Sequence, residues 1–169
     1  ASISQYNHSL DRYEIRHVMG PDEFHDAYPD ADKPAGVEKN AYTNIMAVWV
    51  LWRALETVKI LPDDRREALQ DKLGLRQEEL ERWEEISHKM RVVFHGDGII
   101  SQFEGYDRLK ELDWEGYRRK HGNIQRLDRI LESEGDTSNR YKLSKQADVL
   151  MLFYLISADE LREIFQRLN

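Results

Sequence analysis

The sequence predicts an all-α protein built as an α/α toroid, and three observations point there. Two stretches, Ile45 to Trp52 and Val149 to Ile156, are apolar on every side of a helix, so each must be surrounded by protein. One-sided, amphipathic helices alternate with them. Long, decorated loops separate the elements. A coiled coil would show one sustained apolar stripe, and none runs through this chain. An inner ring of helices sheathed by an outer ring generates the alternation, and an irregular helical bundle is the alternative.

The elements follow in order. Tyr13 to Met19 partly alternates apolar and polar residues and reads as a short strand. Gly20 to Lys39 has neither a helix nor a strand period and holds Pro21, Pro29 and Pro34 beside several acids. A segment of that kind is a functional loop or a linker. Asn40 caps a helix over 41–59. Pro62-Asp63-Asp64 starts a second helix that Gly74 ends after Leu73. Arg76 to Met90 is a third, with Leu80, Trp83, Ile86, Ser87 and Met90 on one stripe. Gly96-Asp97-Gly98, between Val92-Val93-Phe94 and Ile99-Ile100, predicts a small β-hairpin. Short helices follow over 114–120 and 125–133. Ser144 is placed to cap a helix over 145–156, and Ser157 to Glu160 forms a capping box for a last helix over 161–168.

Composition excludes several classes. The 169 residues carry 25 Lys+Arg against 32 Asp+Glu, a net charge of −7, which argues against nucleic acid as a partner. The longest apolar run, Val149 to Ile156, is far short of the ~20 residues that span a bilayer. With no cysteine there is no disulfide, thiolate catalysis or Cys-ligated zinc. That fits a reducing compartment, and with no export segment the expected location is the cytoplasm.

Two motifs carry chemistry. In Gly20-Pro21-Asp22-Glu23-Phe24-His25-Asp26, Asp22 and Glu23 adjoin an aromatic ring and an imidazole. Adjacent residues of an extended segment face opposite ways, so only one carboxylate faces a given cavity. A carboxyl beside an apolar ring and a second acid has the raised pKa that a general acid needs. The alternative is a solvated acidic loop. A divalent-cation site from Asp22, Asp26, Asp30 and Asp32 lacks the twelve-residue loop signature, so no metal is expected. In Ser144-Lys145-Gln146-Ala147-Asp148, an ammonium and an amide in the first turn of a buried helix suit phosphate or sugar hydroxyls. The alternative has Lys145 reaching solvent or pairing with Asp148. The six histidines show no metal-ligand spacing, and no nucleophile-elbow serine or Gly-rich phosphate loop occurs.

Val18-Met19-Gly20-Pro21-Asp22-Glu23-Phe24-His25, Asn40-Ala41-Tyr42-Thr43-Asn44 and Lys145-Gln146-Ala147-Asp148-Val149, in that order, resemble glycoside hydrolase family 65. That family includes maltose, trehalose and kojibiose phosphorylases and some trehalases. The resemblance continues through Trp83-Glu84-Glu85-Ile86-Ser87 and Phe103-Glu104-Gly105-Tyr106 and so spans nearly the whole chain.

The resemblance implies an (α/α)6 barrel, with residues 1–169 as the C-terminal part of its catalytic domain, inactive by themselves. It implies Glu23 as the catalytic general acid, with Lys145 and Gln146 binding the sugar at the same end of the inner ring. The implied reaction is inverting phosphorolysis of an α-glucosyl disaccharide to β-glucose 1-phosphate. Inorganic phosphate is then the co-substrate, with no other cofactor and no protein base. A hydrolase of trehalase type, which would need a second carboxylate about 6.5–9.5 Å from the first, and a non-catalytic helical interaction module are the alternatives. Disaccharide and phosphate are the expected partners, and self-association would hide inner helices. Phe24-His25-Asp26 stands where the family has Tyr-His-Glu, and Ala27 to Glu38 looks like an insertion. Both lie in loops that line the sugar subsites, so the resemblance reaches the reaction and not a particular disaccharide.

Overall fold

A computed structural model describes residues 4–32 and 35–168. Among them, seven α-helices and one two-stranded antiparallel sheet account for the regular structure, besides two single turns of 3₁₀ helix.

The chain is mostly helical, as expected, but the sheet lies elsewhere than predicted. Strands β1 (Ser4–Asn7) and β2 (Arg12–Ile15) pair antiparallel, with Tyr6 opposite Tyr13. The strand read over 13–19 stops at Ile15. His17 adopts a left-handed backbone, and Val18 bridges to Val37 instead. At the predicted hairpin the turn forms, with Gly98 left-handed and the His95 N–H bonded to the Ile99 carbonyl at 2.8 Å. Only one bridge, Phe94 to Ile100, follows. Both flanks are claimed elsewhere: the Arg91 N–H bonds to Tyr13 O at 2.9 Å, and the Gln102 carbonyl accepts from the Ala41 N–H.

Helix α1 (Ala41–Ile60) begins where Asn40 accepts from the Thr43 N–H at 2.9 Å. Helix α2 (Asp63–Leu73) follows Pro62 and ends on left-handed Gly74, whose neighbour Leu75 donates back to Gln70 O. Helix α3 (Gln77–Lys89) buries Leu80, Ile86 and Ser87, the stripe read from sequence. Helices α4 (Trp114–His121) and α5 (Leu127–Ser133) are short. Leu127 and Leu131 of α5 close a small second core with Leu112 and Leu143.

Helix α6 spans Asp148–Leu155 rather than 145–156. Residues 144–147 are non-helical, and the Lys145 N–H there bonds to a buried carboxylate on another segment. Helix α7 (Ala158–Leu168) starts at the predicted capping box, with the Glu160 N–H on Ser157 Oγ at 3.2 Å and the Ser157 N–H on Glu160 Oε2 at 3.1 Å.

Helix α1 packs against α3, α6 and α7, and α3 packs against α7. Ile45, Val48 and Trp52 of α1 meet Ile86 of α3, Leu152 of α6 and Ile164 of α7 in the main core. Each such side chain contributes roughly 1.5–3 kcal/mol by leaving water. Burial of the two apolar helices is one-sided, however. Val50 of α1 is exposed, as are Leu150, Phe153, Tyr154 and Leu155 of α6, with Tyr154 90% accessible.

Among its described residues the stretch 20–39 has no helix, as predicted, yet it is packed. Ala27 and Val37 are buried, and Val37 joins Phe103 and Leu109 in a third small cluster. The loop is therefore laid down firmly between α1 and the segment before α6.

Candidate active site

A turn at Glu23 and Phe24 separates the two acids of the Gly-Pro-Asp-Glu motif. Asp22 points inward and is 1% accessible, while the Glu23 side chain faces outward and is 60% accessible. The Lys145 ammonium, also exposed, lies 2.5 Å from Glu23 Oε2. Chain positions 122 apart thus meet in a direct ion pair. They sit on the rim of a polar cleft of about 160 Å³ whose wall also includes Phe24, Asp26, Arg129 and Asn139. A larger depression of about 780 Å³, between α1 and α3, is lined by residues such as Val50, Leu51 and Trp83 and by none of the motif residues.

Lys145 does not pair with Asp148, and it does not occupy a helical first turn. Gln146 is half-buried, and its side-chain oxygen is enclosed without a hydrogen-bond partner among the described residues.

Beneath the Glu23–Lys145 pair lies a buried polar network that joins all three motifs. Asp22 Oδ2 accepts from His25 Nδ1 and from Gln102 Nε2, each at 2.8 Å. Asp22 Oδ1 accepts from the Lys145 N–H at 2.8 Å and the Phe24 N–H at 3.3 Å. The Asp22 N–H donates to Asp148 Oδ1 at 2.7 Å, and Asn40 Nδ2 donates to Asp148 Oδ2 at 2.7 Å. His25 is 1% accessible, is flanked by the Phe103 and Tyr106 rings, and directs its other ring nitrogen to the Tyr141 carbonyl at 3.0 Å.

The electrostatics follow from burial against hydrogen bonding. Burial pushes the Asp22 carboxyl up, but the bonds from His25, the Lys145 amide and Gln102 outweigh it and hold the group below the usual aspartate range. Asp148 goes the other way. Burial raises it, and the two donors it receives do not fully offset that rise or the charge of Asp22. Burial, with the Asp22 charge second, pushes the Tyr106 phenol up to about 12. Asp26, an acid in the candidate cation set, is engaged with Asn139 Nδ2 at 2.8 Å. Among the described residues no group of three or more His, Asp or Glu side chains is arranged to hold a metal ion.

Gln102 and Asp148 belong to this buried network, a place the sequence does not single out for them. Asp148 carried a signal, being a lone carboxylate at the head of an apolar helix. Gln102 carried none.

Residues 1–168 match the model of the glycosyl hydrolase family 65 central catalytic domain. The chain is 55% identical over 167 residues to an uncharacterized glycosyl hydrolase of Mycobacterium tuberculosis (strain H37Rv), covering 99% of this chain and 12% of that protein. It is 35% identical over 158 residues to the trehalose 6-phosphate phosphorylase of Lactococcus lactis, covering 93% of this chain and 19% of that protein. It is 35% identical over 174 residues to the kojibiose phosphorylase of Halothermothrix orenii, covering 99% and 20%. The chain therefore spans between about an eighth and a fifth of the length of these relatives. Its fold matches a solved structure described as a putative kojibiose phosphorylase from the human microbiome, with a TM-score of 0.69 over 99% of this chain and 21% of that one, at 24% identity. The chain belongs to glycosyl hydrolase family 65, whose central catalytic domain it matches from its first residue to its penultimate one.

Proposed function

We propose that these residues are part of a family 65 catalytic domain that cleaves an α-glucosyl disaccharide, of maltose, trehalose or kojibiose type, by inverting phosphorolysis in the cytoplasm. The observation that carries the reading is the Glu23–Lys145 contact at 2.5 Å beside a polar cleft. It brings a proton donor and a cationic hydrogen-bond donor to one place, from segments that the sequence separates widely. Relatives named as phosphorylases at 35% identity support the reaction class.

In this reading Glu23 protonates the glycosidic oxygen as the bond from the anomeric carbon to that oxygen breaks. A phosphate oxygen attacks the same carbon from the opposite face, so the product is β-glucose 1-phosphate and a free sugar. Lys145 and Gln146 hold hydroxyls of the glucosyl unit. The unpartnered oxygen of Gln146 has an unmade bond worth roughly 1–3 kcal/mol, which a hydroxyl donor recovers. The exposed apolar side of α6 fits the inner wall of a ring that other helices of the same domain complete.

The test uses the full-length protein with maltose, trehalose and kojibiose, with and without phosphate. Phosphate-dependent release of glucose 1-phosphate, reduced about 10²–10⁴-fold by Glu23→Gln, is the expected result. Equal rates without phosphate would make the protein a hydrolase. No turnover of any of the three, or an unaffected Glu23→Gln variant, removes the reading.

A further inference from the structure

The buried network contains more carboxylate than packing requires. Asp22 is almost wholly enclosed, and enclosing a charge is costly unless it is fully hydrogen-bonded. All four of its contacts are donors: two backbone N–H groups on Oδ1 and two side chains on Oδ2. An amide of the same shape would turn its NH2 toward His25 and Gln102 and require the other tautomer of the ring and a flip of the Gln102 amide, whereas a carboxylate accepts from all four as they stand.

The bonds are also arranged as a clamp. The Asp22 carboxylate holds the Lys145 N–H, while the Asp22 N–H is held by Asp148. Two bonds between residue 22 and the 145–148 segment fix orientation as well as distance, which one bond would not. The next residue on one strand of this clamp is Glu23, and the side chain on the other is Lys145. Their relative position at the cleft is therefore set from below by Asp22.

We propose that Asp22 is a positioning residue that aligns the Glu23 carboxyl with the glycosidic oxygen by locking the 22–23 segment to the 145–148 segment. This rests on the reading of Glu23 as the general acid. A misplacement of about 1 Å at a reacting group costs on the order of 10²-fold in rate, and the share of that cost borne through Glu23 falls only on substrates whose leaving group needs the proton.

The experiment compares two substrates in the full-length protein with phosphate: the disaccharide it cleaves, and α-glucosyl fluoride, whose fluoride departs without protonation. Asp22→Asn is expected to lower kcat on the disaccharide about 10²-fold, at least about tenfold more than it lowers fluoride release, which feels only the shift of Lys145. Equal losses on both substrates, or no loss on either, overturn the proposal. If Asp22→Asn does not fold, Gln102→Met, which removes one of the four donors at similar volume, carries the same comparison with the same overturning outcomes. Glu23→Gln is run alongside. If it spares both substrates, the general-acid reading itself fails. If it loses the disaccharide and spares the fluoride while the Asp22 and Gln102 variants show no such split, only the positioning role fails.

Discussion

The backbone N–H of Asp22 donates to the carboxylate of Asp148 across 126 positions of chain, at 2.7 Å and out of contact with water. The second oxygen of Asp148 is taken by Asn40, which at the same time caps α1 through its own side-chain oxygen. One asparagine thus starts a helix and neutralises a hydrogen-bonding need 108 residues away.

Asn40→Ala is expected to cost about 2–4 kcal/mol, the sum of a lost cap and an unsatisfied buried acceptor. Asp113 caps α4 from the surface, accepting from the Gly116 N–H at 2.9 Å. Asp113→Ala is expected to cost about 1 kcal/mol. Denaturant titration of both variants checks the contrast, and equal costs would mean the Asp148 bond contributes little.

Gly20 is small because of where it lies, not because of its backbone angles. A Cβ there would land inside van der Waals contact of the Asp148 carboxylate and the Asn40 amide. Gly20→Ala is expected to destabilise by roughly 1–3 kcal/mol, as overpacking does, and to do so less in an Asn40→Ala background. A double-mutant cycle measures that coupling.

Glu14 is fully buried beneath Arg16 and Arg91, at 2.7 and 2.8 Å, with Lys39 Nζ 3.7 Å away. Burial alone would raise its pKa, but the hydrogen bonds from Arg16 and Arg91 outweigh it and hold the carboxyl at about 2. Because the folded value is depressed, its stabilisation is fully present above the ordinary glutamate value of about 4.3. It is lost as pH falls from there toward 2. Glu14→Gln is expected to lower stability by about 2 kcal/mol at neutral pH and to flatten the acid limb. Thermal midpoints measured between pH 7 and pH 3 check both the size and the sign.

The Lys145 ammonium is exposed, and its pairing with Glu23 is worth less than about 1 kcal/mol to the fold. Lys145→Met is therefore expected to leave the thermal midpoint nearly unchanged. Its loss from a sugar subsite would lower kcat/KM by roughly 10–100-fold, the equivalent of a charge-assisted hydrogen bond of about 1.5–3 kcal/mol. Kinetics on the full-length protein, set beside its melting curve, separate the two effects.

Helix positions were legible because they rest on local signals. Asn40, Pro62, Gly74 and the Ser157–Glu160 box each mark an end by chemistry within one turn. The start of α6 departs from the local signal at Ser144, and the Lys145 N–H beside it is held by Asp22, a partner no local window contains. The hairpin at Gly96 to Gly98 was overextended for the same reason, since its flanks bond to Tyr13 and Ala41. At the candidate site the motif segments could be read as belonging together, and the structure brings Glu23 into contact with Lys145. The network beneath them could not be read. The residue types of Asp22 and Glu23 do not say which one is buried, and what separates them is the direction each side chain takes at the turn there.

The buried knot draws on residues 22, 25, 40, 102 and 148, with the Tyr141 carbonyl closing it on His25, and long loops run between these positions. Loop length costs little once its ends are fixed, because closure entropy grows only logarithmically. Exposed stretches of the loops, such as 30–32 and 122–123, can therefore lengthen or change composition without disturbing the alignment of Glu23 and Lys145, whereas Val37, Tyr106 and Tyr141 in the same loops hold it in place. A scaffold of this kind separates the invention of new specificities from the upkeep of the reaction, so a change of sugar partner would begin in the rim and leave Asp22, Asn40 and Asp148 untouched.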